Sequence, residues 1–128
     1  MRILLDTHLL LWAMAASRKL PPTVKAQVLD PANDIYFSAA SLWEIAIKRG
    51  LRRDDFRIDP DALMAALRES GFLELPIAAT HAVGVAQLPP IHKDPFDRLL
   101  VAQSMAEPMT LLTNDATLAD YWDGVKVV

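Results

Sequence analysis

The sequence contains no cysteine, which excludes a disulfide framework and any thiolate metal centre. Its three histidines, His8, His81 and His92, lack the close paired spacing that zinc sites use. No apolar run approaches the roughly 20 residues needed to span a bilayer; the longest is Leu9 to Ala16. A secretory leader is not expected. Arg2 precedes an apolar stretch ending in Ala13-Met14-Ala15, but Asp6 and His8 interrupt it and leave the apolar region too short. An excess of positive charge is also missing. A formal net charge of -3 excludes a protein that coats nucleic acid with a uniformly basic surface, so any nucleic-acid contact must be local. Repeats and linkers are absent as well. A reducing, cytoplasmic setting fits these absences.

What is present is a compact, apolar chain. Its 128 residues, 52% hydrophobic and 23% charged, suit one domain over residues 1–128 and leave little room for disorder. Arg2 to Leu5 reads as a short buried strand, and Asp6 caps a helix from Thr7 to Ala15. Pro21-Pro22 opens a second helix to about Leu29, and Asp30 to Asp34 breaks it before a strand at Ile35 to Phe37. Ser38 to Arg49 is helical, with Gly50 expected as its stop. Further helices are expected at Pro60 to Ser70, more weakly at Ala78 to Gln87, and strongly from Asp94-Pro95 to about Ala106. Strands are expected at Phe72 to Leu75, Met109 to Leu112 and Val125 to Val128, and a helical turn at Thr117 to Tyr121. Strands that alternate with helices and carry continuous apolar runs predict an α/β fold with a mostly parallel sheet covered on both faces.

In such a fold the strand ends and helix beginnings meet at one edge of the sheet, where ligands bind. Asp6 ends the first strand, Glu44 lies just inside the helix after the second, Asp97 occupies the first turn before the fourth, and Asp115 follows the fourth. Each has a structural reading of its own. Asp6 and Asp115 can cap helices, Ser41-x-x-Glu44 has the form of a capping box, and Asp94-Pro95-Phe96-Asp97 reads as a cap, a proline and a dipole-favoured acid. Glu44 can also pair with Lys48 one turn later. Four converging acids nevertheless repel one another unless a cation offsets them or a proton is retained. Oxygen ligands alone select magnesium or manganese over zinc.

Four segments carry a resemblance. Leu4-Leu5-Asp6-Thr7-His8, Ser38 to Ile45, His92 to Leu100 and Thr113-Asn114-Asp115 resemble, in order, the motif blocks of VapC-type PIN domains. The resemblance implies a three-layer α/β/α sandwich and a metal-dependent RNA endonuclease acting as the toxin of a toxin-antitoxin pair. It implies a magnesium or manganese site built from Asp6, Glu44, Asp97 and Asp115, at which an activated water cleaves RNA to leave a 5'-phosphate and a 3'-hydroxyl. It further implies a homodimer and an antitoxin partner that packs on apolar helix surface. Beside the acids, Thr7, Thr113 and Asn114 can orient a ligand or cap turns. Asp94 reads first as a cap, and Arg98 can neutralise it or contact RNA. For His8 and His92 a hydrogen-bonded structural role is expected.

Three readings compete at this level. Trp12, Trp43 and Ile47 are expected in the core, because their helices need apolar faces. Lys48, Arg49, Arg52, Arg53 and Arg57 cluster among Asp54, Asp55 and Asp59, and a solvated helix end is the plainer reading. A receiver-like phospho-acceptor domain and a non-catalytic interaction module are the alternatives to a nuclease. The receiver fits poorly, because Asp6 stands alone and the third strand closes on Leu75-Pro76.

Overall fold

The structure, a computed structural model, describes residues 1–128 apart from the side chain of Asp55. Five strands alternate with six helices: β1 (Arg2–Leu5), α1 (Thr7–Met14), α2 (Pro22–Leu29), β2 (Asp34–Ser38), α3 (Ala39–Gly50), α4 (Pro60–Glu69), β3 (Leu73–Leu75), α5 (Ala79–Gly84), α6 (Pro95–Ala106), β4 (Thr110–Thr113) and β5 (Val125–Val127). Short 3-10 turns occupy Asp54–Phe56, Val85–Gln87 and Ala116–Asp120. The sheet order is β3-β2-β1-β4-β5, and every neighbouring pair is parallel.

The three central strands, β2, β1 and β4, carry apolar runs because both of their faces are covered. Ile3, Leu5, Ile35, Phe37 and Leu112 face one core with Leu9, Leu10, Val24, Ile45 and Leu67 from α1 to α4. Leu4, Leu111 and Val125 face the other with Leu99, Leu100 and Val101 from α6. This is the three-layer α/β/α arrangement. Each such Leu or Ile, fully buried, stabilises the fold by about 1.5 to 3 kcal/mol relative to an exposed one.

The order of the strands positions the site. From β1 the chain steps outward to β2 and β3, then returns across the sheet so that β4 pairs with the other side of β1. The direction of winding therefore reverses between β1 and β4. Helices diverge at such a switch point and leave a crevice beyond the strand ends. Asp6 and Asp115 lie on its two sides.

Local chemistry departs from expectation at several places. Gly50 does not stop α3; it is the last helical residue, and the left-handed position falls on Arg52, at φ 57°. There the Arg53 N–H donates to the Lys48 carbonyl, the closing bond of a Schellman motif whose turning residue is ordinarily glycine. Gly71, at φ 82°, does terminate α4. Ser41 is not part of a capping box. Ser38 caps α3 by accepting from the Ala40 N–H, and Ser41 is buried within the helix. Trp43 and Ile47 are 55% and 41% exposed, so neither belongs to the core, while Trp12 is half-buried against it. The reason is geometric: the inner face of α3 is taken by Ala40, Ser41, Glu44 and Ile45, leaving Trp43 and Ile47, one turn apart, on the outer side.

Candidate active site

Asp6 is held rigidly at the end of β1. One oxygen, Oδ1, caps α1 by accepting from the Leu9 N–H at 2.9 Å. The other, Oδ2, accepts from the Thr113 hydroxyl at 2.6 Å and from the Asn114 N–H at 3.3 Å. The end of β4 thus reaches across the switch point to orient the acid of β1. Asp115 repeats the pattern: Oδ1 caps the following 3-10 turn through the N–H and hydroxyl of Thr117. Its Oδ2 accepts from His92 Nε2 at 2.8 Å.

Glu44 reaches the same region from the inner face of α3 and is buried. Its Oε1 accepts from the Thr7 hydroxyl at 2.6 Å, which also approaches the Ser41 hydroxyl at 3.0 Å. Its Oε2 pairs with Lys48. The same ammonium lies 3.9 Å from Asp94 Oδ2, so Lys48 ties α3 to the start of α6. Asp94 Oδ1 caps α6 through the N–H groups of Phe96 and Asp97, which sets where the Asp97 side chain emerges.

His92 is drawn into the cluster. Its Nδ1 faces the Asp94 N–H at 3.0 Å and must accept, so the ring proton sits on Nε2 and is donated to Asp115. Nε2 is also 3.7 Å from Asp97 Oδ2. Among the described residues, His92, Asp97 and Asp115 bring ligand-type atoms within 4.8 Å of one another. Asp6, His92, Asp97, Asn114 and Asp115 line one cleft of about 370 Å³. Glu44 is not part of its wall. It is felt through charge instead.

Burial, then the charges of Asp94, Glu44 and Asp6, push the Asp97 carboxyl up to about 7, with His92 opposing. Burial also raises Asp6, against the hydrogen bonds from Thr113, Leu9 and Asn114. At Asp115 burial acts upward too, but Thr117 and His92 together outweigh it and hold the carboxyl below its ordinary value. Like charges therefore accumulate here beyond what Lys48 neutralises. A hard divalent cation fits this donor set, because it has only carboxylate oxygens to offer and an unmet negative charge. His92 is a poor ligand as placed, since Nε2 carries the proton.

The remaining residues divide clearly. Thr7, Thr113 and Asn114 all bond the acids directly. Asp94 is both a cap and a charge felt at Asp97. Arg98 neither neutralises Asp94 nor faces the cleft. It donates to the carbonyls of Pro89, Val85 and Leu88 and to the Tyr121 hydroxyl, and that hydroxyl also accepts from the His92 N–H at 2.8 Å. Arg98 thereby anchors the loop carrying His92. Sequence reasoning missed this role and the place of Ser41, because both depend on contacts between distant segments that no local pattern encodes. No acid follows β3, where a receiver-like domain would carry its acceptor.

Comparison with known proteins agrees with this geometry. No curated protein sequence matches the chain. Among solved structures the chain is similar to VapBC2 from Rickettsia felis bound to a DNA fragment from its promoter, with 15% identity and a TM-score of 0.69 over 100% of this chain and 98% of that one. It is similar to a toxin-antitoxin complex from Klebsiella pneumoniae, with 21% identity and a TM-score of 0.64 over 98% and 96%. VapBC-1 from nontypeable Haemophilus influenzae shares 14% identity, with a TM-score of 0.68 over 100% and 97%. At these identities what is shared is the fold. The sequence itself matches the family model of the PIN domain over residues 3–122, a span that contains every acid of the cleft, and the chain therefore belongs to the PIN domain family.

Proposed function

We propose that this PIN domain is a metal-dependent endoribonuclease, the toxin of a VapC-type toxin-antitoxin pair acting in the cytoplasm. The observation that carries the reading is Asp97. Its carboxyl lines one cleft with those of Asp6 and Asp115, where burial and the charges of Asp94, Glu44 and Asp6 push it up to about 7, an arrangement suited to positive charge. Asp6, Asp97 and Asp115 would hold a magnesium or manganese ion there, and Glu44 adds the fourth negative charge. Such an ion, when bound, polarises a phosphate oxygen and makes water a better nucleophile near neutral pH.

The chain's own residues prepare that chemistry. Thr113 and Asn114 fix the Asp6 carboxylate, Thr7 fixes Glu44, and the Asp94 cap fixes the backbone of Asp97, so the acids need little reorganisation. His92 holds its proton on Nε2 against Asp115, which suits orienting that acid rather than removing a proton from water. An antitoxin partner is supported by the toxin-antitoxin complexes among the similar structures.

The test is cleavage of RNA by purified protein with magnesium or manganese. EDTA should stop it, Asp6→Asn and Asp97→Asn should abolish it, and expression should slow growth unless the neighbouring gene product is co-expressed. Cleavage at full rate in EDTA would overturn the mechanism, and normal growth with folded protein would overturn the toxin reading.

A further inference from the structure

A cluster of basic residues spans the end of α3 and the turn that follows it. Residues 48–57 contain five basic and two acidic side chains in a chain of net charge -3. Arg49, Arg52, Arg53 and Arg57, with Phe56 as floor, line a cleft of about 350 Å³. Lys48 joins this cleft to the catalytic region. Its ammonium stands 4.8 Å from the Phe56 ring centroid while pairing with Glu44 and approaching Asp94. The Arg53 guanidinium stands 5.9 Å from the same ring.

Arg49 pairs with Asp59 at 3.2 Å and Arg57 with Asp54 at 2.7 Å. Both pairs are exposed, and exposed pairs exchange readily with other anions. Arg52 is different. It has no ion pair among the described residues, and it occupies the left-handed turn of the Schellman motif at φ 57°, where glycine is the least strained residue. The chain has a glycine two residues earlier, Gly50, inside the helix where it weakens it. Helix stability alone would favour the reverse placement.

We propose that this cleft is a phosphate-binding subsite that grips the RNA backbone beside the cleaved bond. Guanidinium groups bind phosphate oxygens in pairs of hydrogen bonds, and the local positive field offsets the repulsion that the acidic cleft and the negative net charge present to a polyanion. His8, which lines the acidic cleft, packs edge-on against Phe56 with ring centroids 5.5 Å apart, so the two clefts are neighbours and one strand can occupy both. The inference rests on the nuclease reading, since it assigns how that substrate is held.

The experiment measures binding of a fluorescently labelled single-stranded RNA to the cleavage-deficient Asp97→Asn protein, by anisotropy over a range of salt. Arg52→Gly relieves the backbone while removing the charge, so it should fold at least as well as the parent. It should weaken binding and lower the slope of log affinity against log salt by about 0.7, and adding Arg53→Gln should lower it by about as much again. In the wild-type background the same changes should raise KM for a long RNA and leave kcat for a dinucleotide substrate unaltered. An unchanged slope in the folded double variant would overturn the subsite and leave the nuclease intact, giving the cleft to a protein partner or to solvent. RNA that is neither bound nor cut by any form would overturn both.

Discussion

Asp97 stands where three other carboxylates repel it, and its protonation would link stability to the proposed metal binding. Its folded value, about 7, lies above the ordinary 3.8, so the metal-free fold retains a proton that the unfolded chain releases. That contribution is complete below about pH 4 and is lost as the pH rises through 7. Asp115 acts oppositely: held below 3.8, it contributes above that pH and is lost only as the pH falls further. The windows do not overlap. Asp97→Asn in EDTA should therefore gain stability over the wild type progressively from about pH 4 to 7 and level above that, by roughly 1 to 4 kcal/mol, read by thermal melting. Manganese affinity, measured by calorimetry, should rise close to tenfold per pH unit up to about 7 and then level, because the ion displaces that proton. A pH-independent affinity would remove Asp97 from the site. His92 gives the second residue-scale expectation. Because its ring donates to Asp115, His92→Ala should slow cleavage less than Asp97→Asn does; a larger loss in a folded variant would make the histidine catalytic.

At the scale of elements, capping and site building turn out to be one arrangement. Asp6, Asp94 and Asp115 each give one oxygen to a helix N-terminus, and the capped turn aims the rest of the carboxylate or its neighbour into the cleft. Reading each acid as a cap or as a ligand set up a choice that the geometry does not require. Helix ends also show where stability was not maximised. Ala16, like Arg52, is a non-glycine residue in the left-handed region, at φ 49°. It closes α1 through the bond from the Ser17 N–H to the Trp12 carbonyl at 2.9 Å. It is exposed and far from the acids in the fold's logic, since it follows the opposite end of α1. Ala16→Gly should stabilise the protein by roughly 0.5 to 1 kcal/mol, the relief of left-handed strain less the entropy glycine adds to the unfolded chain. Denaturant melts check the gain, and cleavage should be unaltered.

On the scale of the whole molecule, the two sides of the sheet do different work. The face under α6 and the face under α1 to α4 both bury continuous cores, while the C-terminal edge gathers charge. The outer side of α3 does neither. Trp43 packs edge-on against Phe96, with centroids 5.0 Å apart and planes at 79°, and with Ile47 one turn later it forms an apolar stripe open to solvent. A second copy of the chain covering that stripe would account for it. Sedimentation should then show a dimer for the wild type and a monomer for Ile47→Glu, at nearly unchanged melting temperature. A wild type that sediments as a monomer would take the stripe out of dimer formation.

Much of this was legible in local chemistry. The order and type of the elements followed from apolar runs, from Pro and Asp at helix starts, and from Gly71 at a helix end, because these act over one or two turns. The four acids were legible for the same reason: in a parallel α/β chain every strand end is delivered to one edge, so Asp6, Glu44, Asp97 and Asp115 could be placed together before strand order was known. Helix α3 marks the limit. Its apolar period admitted Trp43 and Ile47 to the core, and its Ser41-x-x-Glu44 spacing mimicked a cap, because period and spacing do not say which face meets the sheet. Strand order, which sets β1 beside β4 and lets Thr113 reach Asp6, is decided by packing across a separation of 107 residues. So are the bridge from Lys48 to Asp94, the ring of His92 on Asp115 and the anchoring of its loop by Arg98. The sequence determined which groups arrive at the edge, since that depends on local structure alone. Tertiary structure decided which of them face one another and how far each pKa moves, since burial and Coulomb interactions depend on distances in space.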